Sequence, residues 1–310
     1  MVLQVILLAL AIIMLYYGAE FALESAEKIG LALGLSPLVI GLLIVGFGTS
    51  LPEFFVSQLA CLRGESPMAL GNVVGSNIAN LFLILGISGT MVKLYVSREE
   101  IKIQLILHLI LTSLLIFTLV QDRVYPWSAA MFGAFFAYYL YDTFKQMRKQ
   151  RHTGHIEDAH EADKIHWKEY VFLVIGFALL YLGGELLVTS GSALAALAGV
   201  DSYVISAVFV AFGTSFPELV TAIMACKRGK NTDIITGNII GSNIFNVAFV
   251  LGSLSFYDIP INKDFSIEIS SLIFAAVFLL GLSIAKKNFG RISGIIFLIC
   301  YALSVYNWIS

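Results

Sequence analysis

Charged residues are scarce in this chain, making up 13% of its 310 residues, where a soluble domain carries about a quarter. With 58% hydrophobic residues and a mean hydropathy of +0.88, the composition excludes a soluble globular protein and points to an all-α membrane protein. Three cysteines, Cys61, Cys226 and Cys300, are too few and too scattered for a disulfide framework or a metal cluster. The formal net charge of −2 says little about partners, and no nucleic acid is expected among them. The first apolar run lacks a basic leader and a small-residue cleavage site, so a retained helix is expected rather than a signal peptide.

What is present is a succession of long apolar runs, each near the roughly 20 residues that cross a bilayer core of about 30 Å. Ten transmembrane helices are expected, at 2–22, 36–61, 67–92, 101–120, 125–145, 168–189, 202–226, 233–256, 266–285 and 291–309. The least apolar stretch, 147–167, divides the chain into a first five-helix repeat (1–146) and a second (168–310). Lys and Arg concentrate in cytoplasmic loops. With the N-terminus outside, the outer loops keep only Arg63, Arg123 and Lys263 of the 19 basic residues. Both termini are therefore expected outside, in a multi-pass cell-membrane protein with a cytoplasmic linker. Trp127, Trp167 and Trp308 fall at span ends, as an interfacial aromatic belt requires.

The two halves repeat one another. Gly46-Phe47-Gly48-Thr49-Ser50-Leu51-Pro52-Glu53 returns 165 residues later as Ala211-Phe212-Gly213-Thr214-Ser215-Phe216-Pro217-Glu218. Leu15 to Glu20 returns as Leu180 to Glu185, and Cys61-Leu62-Arg63-Gly64 as Cys226-Lys227-Arg228-Gly229. At an offset of 166, Gly71-Asn72-Val73-Val74-Gly75-Ser76-Asn77-Ile78-Ala79-Asn80 returns as Gly237 to Asn246. Five spans is an odd number, so the second copy enters the membrane upside down. Inverted repeats with interrupted helices at matching positions, here the second and seventh, point to a secondary transporter with a midplane site.

A carboxylate at membrane depth costs about 2.5–3.5 kcal/mol on insertion scales, so Glu53 and Glu218 are functional candidates. Pro52 has no N–H, which leaves the Gly48 carbonyl without its helical partner, and Pro217 does the same to Gly213. Freed carbonyls inside a membrane need something to satisfy them, and a cation can. If the repeats meet, two carboxylates join oxygens from Thr49, Ser50, Thr214 and Ser215, which suits calcium, a taker of six to eight oxygens. The motifs hold no His or Cys, which argues against zinc, copper or iron. Ser76 with Asn80 and Ser242 with Asn246 are four apart, hence on one helix face, and read as further ligands. A blander alternative stands beside this: Ser50 with Glu53 and Ser215 with Glu218 fit a capping box that restarts a helix after a break. Gly71 with Gly75 and Gly237 with Gly241 are small-residue pairs that let helices approach closely.

These paired segments resemble the two alpha repeats of the sodium/calcium exchangers, in the cation/calcium antiporter superfamily, over nearly the whole chain. The resemblance implies an antiporter that exchanges sodium for calcium by alternating access, with the first and sixth spans sliding across the rest. It implies a calcium site from Glu53, Glu218 and the Thr49 and Thr214 carbonyls. It also implies sodium sites using Ser50, Ser76, Ser215 and Ser242, with backbone oxygen from Gly46 and Ala211; Asn80 and Asn246 line the site. Calcium and sodium are then transported ions, no cofactor is expected, and a monomer without a large cytosolic domain is similar to the prokaryotic members. Family members commonly carry Asp where this chain has Asn246, and potassium-dependent ones acids at both positions. Both being amides here argues against potassium. A proton/calcium antiporter, which typically has a Glu within the segment occupied by Gly71 to Asn77, is the runner-up. A channel or an intramembrane hydrolase fits less well, since neither motif sets a His or Lys beside its serines. His108 is expected to be hydrogen-bonded, and His152, His155, His160 and His166 to lie in a solvated loop, with a weak metal or proton site there left open.

Overall fold

The computed structural model of the protein describes residues 2–64, 66–152, 166–197, 199, 214–229, 232–261 and 264–309. Ala211, most of the first half of the expected seventh span and most of the linker lie outside the described residues.

Helix α1 (Val2–Ala32) is followed by a broken segment, α2, over Pro37–Leu62. Ser36, in extended conformation, caps its start by accepting from the Val39 N–H, and Pro37 occupies the first helical position, where its missing N–H costs nothing. The segment passes through a π-helical stretch (Ile40–Val45), pauses at Ser50 and restarts as Leu51–Leu62. The third segment, α3, joins Ser66–Ile78, a π stretch Ala79–Ile84 and Leu85–Met91. Helices α4 (Glu99–Leu119), α5 (Trp127–His152), α6 (Trp167–Leu197) and α7 (Phe216–Arg228) follow. Segment α8 joins Thr232–Ile244, a π stretch Phe245–Leu251 and Gly252–Leu254. Helices α9 (Ser266–Ile284) and α10 (Arg291–Ile309) complete the chain.

Among the described residues, eight of these elements are long and apolar enough to cross a membrane. The other two carry the expected spans 125–145 and 202–226. Helix α5 is diluted by Tyr138, Tyr139, Tyr141 and Asp142, and α7 is described for only 13 residues. Helix α1 runs ten residues past its expected end at 22 and α6 runs past 189, because hydropathy stops where polar residues begin while helical hydrogen bonding does not. Beyond the apolar stretch, Glu24 and Lys28 pair at 2.8 Å on one face of α1, and Lys28 reaches Glu169 of α6 at 3.4 Å.

The core is built around α3 and α8, whose most apolar stretches are 72% and 83% buried, against 22% for both α1 and α6. The peripheral pair α1 and α6 packs antiparallel through glycines. A Cβ added to Gly18 would lie 2.8 Å from the Leu180 nitrogen, and one at Gly176 would lie 2.6 Å from the Ala22 nitrogen. The first half of α2 crosses α8 as closely: added Cβ atoms at Gly237 and Gly241 would lie 2.3 and 2.5 Å from the carbonyls of Leu38 and Leu42. No described atom comes within 4 Å of such an atom at Gly71 or Gly75, so the close approach expected of that pair is not seen among the described residues.

Two short β-pairings clamp opposite ends of α4. Leu94 bridges Phe289 before the helix, and Arg123–Val124 (β1) pairs with Ile259–Pro260 (β2) after it, setting Val124 against Ile259. The partners exchange under the repeat: Leu94 and Ile259 are 165 apart, as are Val124 and Phe289. Arg123 adds an ion pair to Asp258 at 3.0 Å, and that neighbouring carboxylate holds the guanidinium above its ordinary range.

Candidate ion site

The two prolines shape the site in the same way. Ser50 has φ −88° and ψ 2°, Ser215 has φ −90° and ψ 4°, and each precedes a helix that restarts with proline in its first turn. Neither serine makes a side-chain capping bond, which overturns the capping-box alternative. Ser50 instead donates to Glu218 Oε1 of the other half, at 3.2 Å across 168 positions of sequence. That bond brings the restart points of the two octets together.

Around them the side chains are dry. Glu53, Ser50, Glu218, Asn80, Ser242 and Asn246 have no measurable exposure, and Thr49, Ser76 and Ser215 are at 3% or below. Thr214 is partly buried and lies 3.3 Å from Ser76, hydroxyl to hydroxyl. Ser242 Oγ lies 3.3 Å from the Gly46 carbonyl. Of the residues predicted for the site, Ala211 alone lies outside the described residues.

Two asparagines that the sequence reading passed over hold the halves together. Asn72 donates to Ser57 Oγ at 3.0 Å and to the Glu53 carbonyl at 3.4 Å, while its Oδ1 accepts from Thr214 at 3.0 Å. Asn238 donates to Thr221 Oγ1 at 3.2 Å, and its Oδ1 lies 3.4 Å from the hydroxyls of both Thr49 and Ser242. Each asparagine thus ties the glutamate helix of its own half to the threonine of the other half. The signal was present: Asn72, Ser76 and Asn80 recur every four residues, so the polar stripe extends one turn further back than the chosen candidates.

Buried polar atoms are nearly always hydrogen-bonded. Here both carboxylate oxygens of Glu53, Oε2 of Glu218, Oδ1 of Asn80, the Ser215 hydroxyl and both amide atoms of Asn246 have no hydrogen-bond partner among the described residues. Asn80 and Asn246 each sit second in a π stretch, a distortion frequent at functional sites. No group of three or more His, Cys, Asp or Glu side chains forms among the described residues, so the donors are two carboxylates and uncharged oxygens.

Two cavities lie among the described helices. One, of about 180 Å³, is lined by Glu185, Tyr181, Pro52, Pro217 and Thr214 and so touches the site itself. The other, of about 330 Å³, is lined by Glu20, Glu24, Glu27, Ala225, Arg228 and Ile234 and touches none of the site residues. In it Arg228 bonds Glu20 Oε1 at 2.9 Å.

An enclosed set of hard oxygen donors that includes two carboxyl groups is of the kind that suits a metal cation, and the surrounding bundle of apolar helices is that of a membrane protein. The chain belongs to the sodium/calcium exchanger protein family, whose family model matches residues 3–145 and 168–309. It is 32% identical over 259 residues to inner membrane protein YrbG of Escherichia coli, covering 81% of this chain and 79% of that one. It is 27% identical over 285 residues to sodium/calcium exchanger MaX1 of Methanosarcina acetivorans, covering 80% of this chain and 81% of that protein. Among solved structures, the sodium-calcium exchanger NCX_Mj soaked with zero Na+ and Ca2+ superposes with a TM-score of 0.85 at 28% identity, covering 99% of both chains. The same exchanger soaked with 2.5 mM Na+ and 10 mM Sr2+ gives a TM-score of 0.84.

Proposed function

We propose that this protein exchanges sodium ions for calcium across the cell membrane by alternating access. The observation that carries the reading is the burial of Glu53 and Glu218, one from each half, with Ser50 of the first half donating to Glu218 of the second. Calcium would be held by both carboxylates with the Thr49 and Thr214 carbonyls. Sodium ions would use Ser50, Ser76, Ser215 and Ser242, backbone oxygen of Gly46 and Ala211, and the amides of Asn80 and Asn246. Two ionised glutamates balance one calcium or two sodium ions, and a third sodium would leave one positive charge for the carbonyls and the amides of Asn80 and Asn246 to solvate.

The proposed architecture is ten spans in two inverted five-helix repeats, 1–146 and 168–310, joined by a cytoplasmic linker at 147–167, with both termini outside. The antiparallel α1–α6 packing and the exchanged β-pairings around α4 support it. Exposed Leu62 and its counterpart Lys227 test it: L62C should react with an impermeant thiol reagent from outside and K227C from the cytoplasm, in a cysteine-free background. Labelling of both from one side would refute the inversion.

Calcium uptake into proteoliposomes, with sodium, potassium or proton gradients imposed separately, tests the function. A sodium gradient alone should drive uptake. Uptake driven only by protons would favour the proton/calcium antiporter, a potassium requirement the potassium-dependent exchanger, and uptake needing no counter-ion a channel.

A further inference from the structure

An asparagine amide can turn either end towards an ion, and the ends differ in sign: Oδ1 binds a cation and Nδ2 repels it. Asn80 therefore needs something to fix its orientation. Its Nδ2 donates to Asn243 Oδ1 at 3.1 Å, which leaves Asn80 Oδ1 buried and without a hydrogen-bond partner among the described residues.

Asn243 is itself oriented from behind. Its Nδ2 lies 3.5 Å from the Asn77 carbonyl and 3.5 Å from His108 Nε2. A backbone carbonyl only accepts, so the Asn243 nitrogen must face it. The second amide hydrogen then finds an acceptor when Nε2 of His108 is the bare nitrogen and the ring proton sits on Nδ1. Turning Asn243 over would set its oxygen against the Asn77 carbonyl and present Asn80 with a donor in place of an acceptor. Asn80 would then have to turn as well, bringing Nδ2 to the ion.

The other half shows no such chain among the described residues. Asn77, the repeat counterpart of Asn243, donates to Val73 within its own helix at 2.8 Å. Asn246, the counterpart of Asn80, has neither amide atom bonded among the described residues. One amide is preset and the other is left to turn.

We propose that Asn243 and His108 are positioning residues that hold Asn80 Oδ1 towards a transported sodium ion. The proposal rests on Asn80 being an ion ligand. Partners behind a metal ligand typically change affinity tenfold to a hundredfold when removed. In the full chain reconstituted in proteoliposomes, N243L and N80A should each raise the half-saturating sodium concentration about tenfold. The double variant N80A/N243L should match N80A alone, because Asn243 acts only through Asn80. H108F, which loses one hydrogen bond, should raise it by about twofold to tenfold, and H108Q, whose oxygen can accept from Asn243, should restore it. Sodium-dependent protection against thermal unfolding of the purified protein gives a readout free of transport. If N243L does not fold, the H108F and H108Q pair decides alone. Multiplying effects of N80A and N243L, or equal behaviour of H108F and H108Q, would overturn the relay while leaving Asn80 a ligand. An N80A variant with unchanged sodium dependence would remove the ligand reading, and the relay with it.

Discussion

The two octets turn alike at Ser50 and Ser215 and have different surroundings. Glu218 is steadied by Ser50, whereas neither oxygen of Glu53 has a hydrogen-bond partner among the described residues, and Ser215 does not return the bond that Ser50 makes. The contrast extends to the ends of the helices. Glu20 is held by Arg228, while their counterparts 165 positions away, Glu185 and Arg63, make no ion pair among the described residues. The cavity beside Glu185 reaches Thr214 and both motif prolines, and the one beside Glu20 stops at Ala225 and Ile234. Near-identical sequences therefore have different surroundings in one molecule: an ion pair on one side, and on the other a cavity that reaches Thr214. A carrier built from two related halves has this asymmetry available to it, since exchanging the roles of the halves gives the opposite state.

The comparison breaks first at the carboxylates. Glu53→Gln and Glu218→Gln should each lower calcium uptake more than about a hundredfold, the equivalent of removing one partner from a buried charge pair, about 3–5 kcal/mol. Unchanged thermal unfolding would show that the protein remains folded, and near-normal uptake in either variant would contradict the site. A sharper cut separates the serines. S50A removes a hydrogen bond to a charged group, about 1.5–3 kcal/mol, and should raise the half-saturating calcium concentration about tenfold or more. S215A should do so less, and equal effects would show that the asymmetry is absent during transport.

Acid should slow exchange in a graded way, because protons and cations compete for the same carboxylate oxygens. Uptake that stays flat between mildly alkaline and mildly acidic pH would argue against two glutamates holding the ion. The smallest effect is expected at the latch. Glu20 and Arg228 are about one-third exposed (side chains 34% and 29%), so screening limits their pairing to about 1 kcal/mol or less, up to about fivefold in the balance of states. E20Q and R228Q should shift the half-saturating calcium concentrations on the two membrane faces in opposite directions, and the exchanged pair E20R/R228E should restore the balance. E185Q or R63Q moving them the same way would deny the exchange of roles.

Much of the site was legible because duplication and chemistry coincide in it. Pro52 and Pro217 announce a break, the glutamates announce a charge where charge is costly, and spacing by four places Ser76 with Asn80. The structure brings these residues together. The π stretches were not legible, since widening a helix by one residue leaves no mark on periodicity over six or seven residues. The Asn243 to His108 contact was not legible either, as it joins elements 135 positions apart and only one half possesses it. Arg228 counted only as one more cytoplasmic charge, and nothing in the sequence pairs it with Glu20, 208 positions away on a neighbouring helix.

The glycine seam between α1 and α6 joins two helices of 31 residues, each about 46 Å long at 1.5 Å per residue, against a hydrocarbon layer of about 30 Å. Most of their surface faces outward. If this pair slides against α3 and α8, its apolar flank travels through the lipid, and each position along that path fits one bilayer thickness best. Mismatch costs fractions of a kcal/mol per ångström, comparable to the latch itself. Acyl-chain length then becomes a setting of the carrier: thicker and thinner membranes would weight its two states differently with no change in any ion ligand.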